Sequence, residues 1–360
     1  MKLLFYINIL SGGGAERVVA NLSNLFQADG NDVVLVNTYK TLNEYYVFNN
    51  VKRFYLEKKC NENKSRFIKN IKRIKALRKI IKTEKPDVVL SFMLEPNFRT
   101  ILATRGLKVK TILSVRNDPK IIYSGKMGRW ISKRLMPKAD GCVFQTEEAK
   151  TFFPKKLQNK STIILNAVKE EFFSIVRKPI EGNIISIGRL MPQKNYKLLI
   201  DAFNLIKNEN PNTILSIYGD GKIKEELLDY ISLLNLQERV RLFGHVENVE
   251  QILSTADMFV LSSNFEGMPN VLMEALASGT PCISTDCPCG GPRYLIENNV
   301  NGLLVPVNNV EILARSMLSL LKDNSRKNKF SIEGKKKAAS FKPDVIYLQW
   351  LNYIKEIMEK

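Results

Sequence analysis

The stretch Asn183-Ile-Ile-Ser-Ile-Gly-Arg-Leu-Met-Pro-Gln-Lys-Asn195 runs from an apolar segment through a glycine into a helical pattern. Residues 2–16 follow the same order, because the apolar segment 2–8 leads through three glycines into another helical pattern. A strand, a glycine loop and a helix in this order form the opening unit of an open parallel sheet. The recurrence of this unit halfway along the chain predicts two such sheets.

Short apolar runs and helical patterns alternate after each of these openings. The predicted strands are 2–8, 32–37, 87–92, 109–114, 141–145, 183–188, 213–218, 239–243, 258–261 and 281–284. The predicted helices are 15–27, 64–82, 196–208, 222–234, 249–254, 270–278, 310–322 and 343–358. This alternation is typical of parallel sheets with right-handed crossovers. The predicted fold class is α/β, with two Rossmann-like domains that face a cleft and join near 166–179.

Composition indicates a globular enzyme, since 44% of the 360 residues are hydrophobic and 25% are charged. No apolar stretch reaches the roughly 18 residues that a spanning helix needs. The apolar run at the start breaks at Asn8 without a small-residue cleavage site. We therefore expect a first strand rather than a signal peptide, and a cytoplasmic chain.

The five cysteines are odd in number, at positions 60, 142, 282, 287 and 289. Cys287-Pro-Cys289 resembles half of a metal site, but no second pair follows it and the single histidine, His245, is distant in sequence. A zinc site needs four well-spaced ligands. We expect buried, reduced thiols and no metal.

The net charge of +19 is confined to the first half of the chain. Residues 1–168 contain 32 Lys and Arg against 13 Asp and Glu, whereas residues 169–360 contain 23 of each kind. This asymmetry indicates an anionic partner for the first half: a membrane surface, a phosphorylated substrate or nucleic acid.

The first glycine loop, at Gly12, Gly13 and Gly14, lies between a predicted strand and a predicted helix. Glycines let a ligand approach the backbone, and a helix N-terminus offers N–H groups to an anion. The dinucleotide pattern G-x-G-x-x-G fails because Arg17 occupies the third glycine position. A contact with phosphate or acceptor is favoured over a nicotinamide cofactor and over a simple tight turn.

The second glycine loop carries two cations, Arg189 at the end of a strand and Lys194 at the start of a helix. Two positive charges beside helix N–H groups suit a diphosphate without a metal.

Glu266 and Glu274 flank a Gly-Met-Pro-Asn turn that follows a buried strand. Carboxylates accept hydrogen bonds from paired hydroxyls, so one is expected to hold a ribose and the other a hexose. The backbone from Gly267 to Val271 is expected to face an anion. A general acid–base pair remains the alternative for the two glutamates.

Five motifs in this order resemble the family 4 glycosyltransferases, retaining enzymes of the GT-B type. They are Gly188-Arg189 with Lys194, Tyr218-Gly-Asp-Gly221, Phe243-Gly-His-Val246, Glu266 with Glu274, and Asn301-Gly-Leu-Leu-Val305. The resemblance implies that Arg189, Lys194 and Glu266 are the catalytic residues. It implies a donor site that comprises Gly188, Val246, Gly267, Met268, Pro269, Asn270, Val271 and Glu274.

The resemblance also implies domains 1–168 for the acceptor and 169–342 for the nucleotide sugar, with a helix at 343–360 that packs on the first domain. The Gly12–Gly14 loop would border the acceptor and the donor phosphate. Many relatives carry a histidine at the end of a first-domain strand, and this chain has Arg116, Asn117 and Asp118 in that region. These three residues are candidates to replace it.

The predicted helix 64–82 contains nine Lys and Arg and no acidic residue. Its basic face predicts contact with a bilayer surface or a lipid-linked pyrophosphate, through Lys69, Lys72, Arg73, Arg78 and Lys79. An apolar face packed on the sheet would explain its isoleucines equally well.

The expected function is the transfer of a hexose or N-acetylhexosamine, with retention of configuration, to a lipid-linked glycan at the inner membrane face. The expected donor is a UDP-linked nucleotide sugar. The expected partners are the nucleotide sugar, a lipid-linked oligosaccharide and an anionic membrane surface, with no cofactor or metal. Capsule, O-antigen and protein-glycan pathways stay open. The alternatives are a UDP-sugar epimerase or hydrolase, or a nucleic-acid-binding protein, although no nucleic-acid motif accompanies the basic half.

Overall fold

The computed structural model describes residues 1–57, 65–209 and 211–360, which form two compact units. The first unit contains Met1–Asn166 and Ile346–Lys360, and the second contains Ala167–Val345. Two features of the sequence, Cys60 and the predicted helix start at Lys64, lie outside the described residues.

The first unit is built on a parallel sheet in the order β3-β2-β1-β4-β5-β6-β7, as far as the structure describes the chain. Its strands are β1 (Lys2–Ile7), β2 (Asp32–Asn37), β3 (Lys52–Tyr55), β4 (Val88–Phe92), β5 (Lys110–Ser114), β6 (Gly141–Phe144) and β7 (Ser161–Ile163). Strand β3 was not predicted, because Lys52-Arg-Phe-Tyr55 lacks the apolar run of a buried strand. It lies at the sheet edge, where charged side chains are tolerated.

Helices cover both faces of this sheet. They are α1 (Gly14–Ala28), α2 (Arg66–Glu84), α3 (Leu94–Thr104), α4 (Pro119–Ile122), α5 (Lys126–Trp130), α6 (Glu147–Thr151) and α7 (Lys155–Gln158). The chain runs from β1 to β2 toward one sheet edge and from β3 through β7 toward the other. Right-handed crossovers therefore put α1 on one face and α2 to α7 on the opposite face.

The second unit has a parallel sheet in the order β10-β9-β8-β11-β12-β13 within its described residues. The strands are β8 (Asn183–Ile187), β9 (Ile214–Tyr218), β10 (Val240–Leu242), β11 (Met258–Leu261), β12 (Cys282–Thr285) and β13 (Leu303–Val305). The helices are α8 (Tyr196–Ile206), α9 (Lys224–Leu233), α10 (Val249–Thr255), α11 (Asn270–Ala277), α12 (Gly291–Leu295), α13 (Val310–Leu321) and α14 (Asn324–Ala338). These two sheets confirm the predicted α/β class.

The last helix, α15 (Pro343–Glu359), packs on the first unit, as the resemblance implied. Trp350 is fully buried with its ring centroid 5.8 Å from that of Phe92. The Tyr353 hydroxyl accepts from the Cys142 N–H at 2.9 Å and donates to the Lys160 carbonyl at 2.6 Å. Because these bonds reach β6 and the segment before β7, α15 completes the core of a unit that begins more than 300 residues earlier.

No helix in the described part of the chain is both long and apolar enough to cross a bilayer.

Candidate active site

The predicted donor residues of the second unit follow the carboxyl ends of neighbouring parallel strands. Gly188 and Arg189 follow β8, Val246 lies in the loop after β10, and Glu266 lies in the loop after β11. Since carboxyl ends of parallel strands share one sheet edge, the fold brings these loops together at the edge where open α/β sheets bind ligands.

Lys194 and Glu266 form an ion pair at this edge, with Nζ and Oε1 2.6 Å apart. Ser263 Oγ donates to the same carboxylate oxygen at 2.7 Å. The second oxygen, Oε2, makes no hydrogen bond within the described ranges. The ammonium keeps two further N–H donors, so the pair still offers donors to an anion and an acceptor to a hydroxyl.

The backbone around Lys194 fixes the position of this pair. Pro192–Lys194 form one 3-10 turn, and Asn195 adopts a left-handed φ of 48° before α8 begins. The Asn195 amide donates to Asn264 Oδ1 at 2.9 Å, and Ser262 Oγ donates to the Lys194 carbonyl at 2.8 Å. Asparagine tolerates this left-handed conformation. The two side-chain hydrogen bonds, from Asn195 and Ser262, hold the turn in place.

Gly188 lies directly against the ion pair. A Cβ there would stand 3.1 Å from Lys194 Cε and 3.1 Å from the Tyr196 hydroxyl, which donates to the Gly188 carbonyl at 2.9 Å. Burial, together with the Glu266 charge, raises the pKa of Tyr196, so the phenol stays a donor. Gly219 is required by the same loop, because its Cβ would lie 1.9 Å from the Gly188 carbonyl oxygen.

The Glu266 loop is held by backbone contacts with the loop after β12. The Glu266 N–H donates to the Pro288 carbonyl at 2.6 Å, and the Cys289 N–H donates to the Glu266 carbonyl at 2.7 Å. Gly291 comes so close that a Cβ would lie 1.8 Å from the Gly267 carbonyl oxygen. Among the described residues, the Gly267 and Met268 N–H groups have no hydrogen-bond partner. Gly267 is half-buried and Met268 is buried, and backbone N–H groups without a protein partner are donors for a ligand, so this loop suits an anionic or hydroxylic ligand.

The second predicted carboxylate, Glu274, lies one turn into α11, which begins at Asn270 after Pro269. Its side chain is buried, so it is not an exposed surface charge. Val271 is half-buried at the start of the same helix.

Arg189 is exposed and has no ion-pair partner in the described part of the chain. Val246 is half-buried, and His245 beside it is exposed. Tyr218 and Phe243 stack with ring centroids 4.7 Å apart and an interplanar angle of 13°. Sequence patterns do not predict this pair, because the two rings come from separate strand ends.

In the first unit, the Gly12–Gly14 loop follows β1 as predicted, and α1 begins at Gly14. Gly12 has a φ of +78°, which favours glycine. Beside this loop, buried Arg99 donates to Asn8 Oδ1 at 2.7 Å and to Glu95 Oε2 at 3.4 Å. Sequence patterns do not reveal Arg99, because a cation on an amphipathic helix is usually exposed.

Arg116 is buried rather than part of a surface loop. Its guanidinium carbon lies 5.3 Å from the Phe92 ring and 5.5 Å from the Trp350 ring. Nε donates to Ser114 Oγ at 2.7 Å and Nη1 donates to Asn166 Oδ1 at 2.8 Å. Burial lowers the pKa of this guanidinium to about 9. Arg116 therefore ties the end of β5 to the C-terminal helix.

The other two candidates for the missing histidine differ in exposure. Asp118 is buried, and its Oδ1 accepts from the Lys120 N–H at 2.8 Å to cap α4. Asn117 is exposed between them. Of the three candidates, Asn117 alone presents its side chain to solvent.

The basic helix is observed as α2, and its cations divide into two groups. Arg73 donates to both Glu57 carboxylate oxygens, at 3.0 and 2.8 Å, and Arg78 donates to the Ala103 and Arg105 carbonyls. These two arginines bind internal partners. By exposure, Lys69 is half-buried, and Lys72 and Lys79 are exposed.

The apolar residues of α2 divide in the same way. Leu77 and Ile81 are buried against the sheet, as the alternative interpretation expected. Phe67, Ile68 and Ile71 are exposed, with Phe67 at 74%. Only the second half of the helix is a packed amphipathic element.

Four cysteines, at positions 142, 282, 287 and 289, are buried and free, as expected for reduced thiols. Burial raises the pKa of Cys287 to about 12. No group of three potential metal ligands occurs among the residues that the structure describes. Metal independence of the reaction stays a prediction.

A cavity of about 1000 Å³ lies next to the loop after β12, lined by Asp286, Tyr294, Glu297, Asn301 and Lys337, among others. It does not include Lys194 or Glu266. We place the candidate chemistry at the ion pair, because the free carboxylate oxygen and the unpaired N–H groups lie there.

Comparisons with known proteins identify the family of this chain. Residues 168–337 match the family model for glycosyl transferases group 1, and residues 12–172 match the model for glycosyltransferase family 4. An uncharacterized glycosyltransferase of Methanocaldococcus jannaschii is 35% identical over 260 residues, which are 65% of this chain and 63% of that protein.

A second relative is 29% identical over 363 residues, 99% of each chain. It is the Campylobacter jejuni α-1,4-N-acetyl-D-galactosaminyltransferase named for GalNAc-α-(1→4)-GalNAc-α-(1→3)-diNAcBac-PP-undecaprenol. The crystal structure of Anabaena HepE, in complex with UDP and glucose, superposes with a TM-score of 0.80 at 16% identity, covering 99% of this chain and 100% of HepE. The two family models together span 12–337, and the chain belongs to the family 4 glycosyltransferases of the GT-B type.

Proposed function

We propose that the enzyme transfers a hexose or N-acetylhexosamine from a UDP-linked sugar to a lipid-linked glycan, with retention of the anomeric configuration. The observation that carries the proposal is the Lys194–Glu266 pair, 2.6 Å apart at the carboxyl edge of the second sheet. The Campylobacter relative is named for an undecaprenyl diphosphate acceptor, and HepE was solved with UDP and glucose, which supports both substrate classes.

The donor diphosphate is assigned to Arg189, Lys194 and the unpaired Gly267 and Met268 N–H groups. A guanidinium and an ammonium both suit phosphate oxygens, and the N-terminus of α11 adds its dipole. Buried Glu274 is assigned to the ribose hydroxyls.

The transferred sugar is assigned to the free oxygen of Glu266. Because Oε1 already accepts from Lys194 and Ser263, Oε2 is the atom left for a sugar hydroxyl. Glu266 thereby positions the sugar through Oε2 and the Lys194 ammonium through Oε1, and this ammonium contacts the leaving diphosphate.

The reaction breaks the bond between the anomeric carbon and the donor diphosphate and forms a bond from that carbon to the acceptor oxygen. Arg189 and Lys194 stabilise the charge that develops on the departing diphosphate. The acceptor enters on the face that the diphosphate leaves, and its proton passes to a phosphate oxygen. Retention follows from this shared face.

The acceptor is assigned to the first unit, at the Gly12–Gly14 loop beside Asn8 and Arg99. The exposed cations of α2, Lys72 and Lys79, are assigned to an anionic membrane surface or to the acceptor pyrophosphate. In this proposal the enzyme is peripherally associated with the cytoplasmic face of the membrane.

The experiment that tests the donor site is thermal unfolding with a panel of nucleotides and nucleotide sugars. A ligand at about 100 times its Kd stabilises the native state by about 2.7 kcal/mol, so UDP compounds should raise Tm and other nucleotides should not. Glu274→Gln should abolish the shift, whereas Glu297→Gln, an exposed control in the same unit, should keep it.

Activity assays then separate transfer from the alternatives. UDP release that requires a lipid-linked acceptor, with an α-linked product from an α-linked donor, is the expected outcome. UDP release or sugar conversion without an acceptor would support the hydrolase or epimerase instead. Absence of any nucleotide-dependent shift would overturn the donor assignment.

A further inference from the structure

The segment 119–138 of the first unit exposes large apolar side chains in a row of very short helices. After α4 and α5 the chain forms one π-helical turn, Ile131–Leu135, and a 3-10 turn, Met136–Lys138. Met127 is 68% exposed, Trp130 50% and Ile121 44%, and Ile122 is exposed beside them. Clusters of exposed apolar side chains are uncommon on the surfaces of monomeric soluble proteins, so this cluster indicates an interaction site.

The charged residues of the same segment are all cations. Between Asp118 and Asp140 the chain has six Lys and Arg and no acidic residue, at positions 120, 126, 129, 133, 134 and 138. All six side chains are exposed, and none forms an ion pair with a described residue. The apolar cluster is therefore surrounded by uncompensated positive charge.

The buried residues of the segment hold this arrangement in place. Tyr123 is buried, with its ring centroid 5.4 Å from that of Phe153. Gly128 packs so closely that a Cβ would lie 2.7 Å from Tyr123 Cα. Leu135 and Met136 are buried at the other end. The outward position of Trp130 and Met127 is thus set by an anchored backbone rather than by a loose loop.

We infer that this segment is a membrane anchor: its apolar side chains enter the interface of an anionic bilayer while its six cations bind the lipid headgroups. The combination of Trp, Met and Ile with exposed Lys and Arg is what an interfacial segment needs. Crossover handedness puts this segment and α2 on the same face of the sheet, so the exposed Phe67 end of α2 is directed to the same side.

Charge complementarity favours a lipid surface over a protein or nucleic acid. A nucleic acid would pair with the cations but would leave the aliphatic cluster in water, and a bilayer interface satisfies both. The suggested purpose of the anchor, to hold the enzyme near a lipid-linked acceptor, is the one part of the inference that rests on the proposed function. Binding itself is measured without donor or acceptor.

The experiment is vesicle co-sedimentation of the full chain, with phosphatidylglycerol–phosphatidylcholine vesicles against phosphatidylcholine alone. Binding to the anionic vesicles is expected, and the reversal Lys126→Glu/Arg129→Glu should weaken it by about fivefold or more for each cation. The matched control Arg315→Glu/Lys329→Glu changes the net charge equally on exposed positions of the second unit and should leave binding within about twofold.

Tryptophan fluorescence locates the contact, because the chain has two tryptophans and Trp350 is fully buried. Anionic vesicles should shift the emission of Trp130 to shorter wavelength. Trp130→Phe should keep the binding and lose the shift, whereas Trp130→Ser should weaken binding by about tenfold. Leu233→Ser, at a 75% exposed leucine of the second unit, is the apolar control and should change nothing.

The inference is overturned if the wild type does not bind anionic vesicles, or if it binds without a shift of Trp130 emission. It is also overturned if Leu233→Ser weakens binding as much as Trp130→Ser does. The nucleotide-dependent Tm of the same preparations, taken without lipid, reports separately on the proposed donor site.

Discussion

The two units differ in how far their charges are compensated. The second unit has equal numbers of acidic and basic residues, and two of its ion pairs lie inward, Lys194 with Glu266 at 2.6 Å and buried Lys327 with Asp257 at 2.9 Å, whereas others such as Lys197 with Glu226 lie on the surface. The first unit has an excess of 19 positive charges, and most Lys and Arg side chains among its described residues are exposed, as in segment 119–138. Paired, partly desolvated charges position a substrate and support the fold, whereas exposed unpaired charges act on a partner at a distance.

The largest expected effect that tests this contrast is on catalysis in the second unit. Lys194→Ala removes the ammonium assigned to the leaving diphosphate and should lower kcat/KM by about 10³-fold. Lys197→Ala is the matched control, since Lys197 is three residues further on and pairs with Glu226 on the surface, both side chains being about half exposed. Measured transfer rates should stay within about twofold for Lys197→Ala. Equal losses in the two variants would contradict the assignment.

The next largest effect is expected on stability, when the buried pair of Lys327 and Asp257 is broken. Lys327→Met leaves the Asp257 carboxylate buried without its cation and should lower the free energy of unfolding by about 3 kcal/mol. Asp257→Asn in the same chain should recover part of the loss, because Asn still accepts the Gly182 N–H bond seen at 3.0 Å.

Denaturant unfolding followed by circular dichroism measures both variants. Lys322→Met removes the exposed pair with Glu209 and should cost under about 0.5 kcal/mol. A cost at Lys322 that matches the cost at Lys327 would remove the distinction between inward and outward charges.

The smallest expected effect concerns the ion pair between Arg73 and Glu57 in the first unit. Hydrogen bonds from Arg73 hold the pKa of Glu57 below its usual range. Because the pKa is lower in the folded state, the pair stabilises the fold at neutral pH, and this contribution is lost as the pH falls through the folded-state pKa.

Glu57→Gln should therefore cost about 1 kcal/mol at pH 7 and nothing measurable at pH values well below the usual glutamate pKa of about 4.3. Unfolding of wild type and variant over a pH series measures this difference. A constant difference at every pH would show that the pair acts through packing instead.

Most of the architecture was predictable because parallel strands and their helices leave strong local patterns. Strands β1, β8 and β11 and the start of α11 at Asn270 lie where the apolar runs predicted them. Two of the missed elements lack that signal: β3 is a charged edge strand, and α14 is a basic helix whose buried face depends on packing against α11.

Lys194 and Glu266 could be named as candidates because the motif itself carries them; the structure brings the two together, and their roles stay a prediction. Arg99 and the Tyr218–Phe243 stack were missed, because their surroundings come from segments far apart in sequence. Arg116 was a candidate to replace the missing histidine, and sequence patterns did not show that it packs beside Trp350, which is more than 200 residues away.

The sequence by itself determined the α/β class, the two strand–glycine–helix openings and the location of the positive charge, since each depends on local order along the chain. Only the tertiary structure decided which charges are paired. Lys194 meets Glu266 because β8 and β11 are neighbours in the sheet. Likewise Trp130 is exposed, whereas Tyr123 and Leu135 of the same segment are buried. Pairing and exposure depend on which strands and helices become neighbours, and spacing along the chain does not specify that.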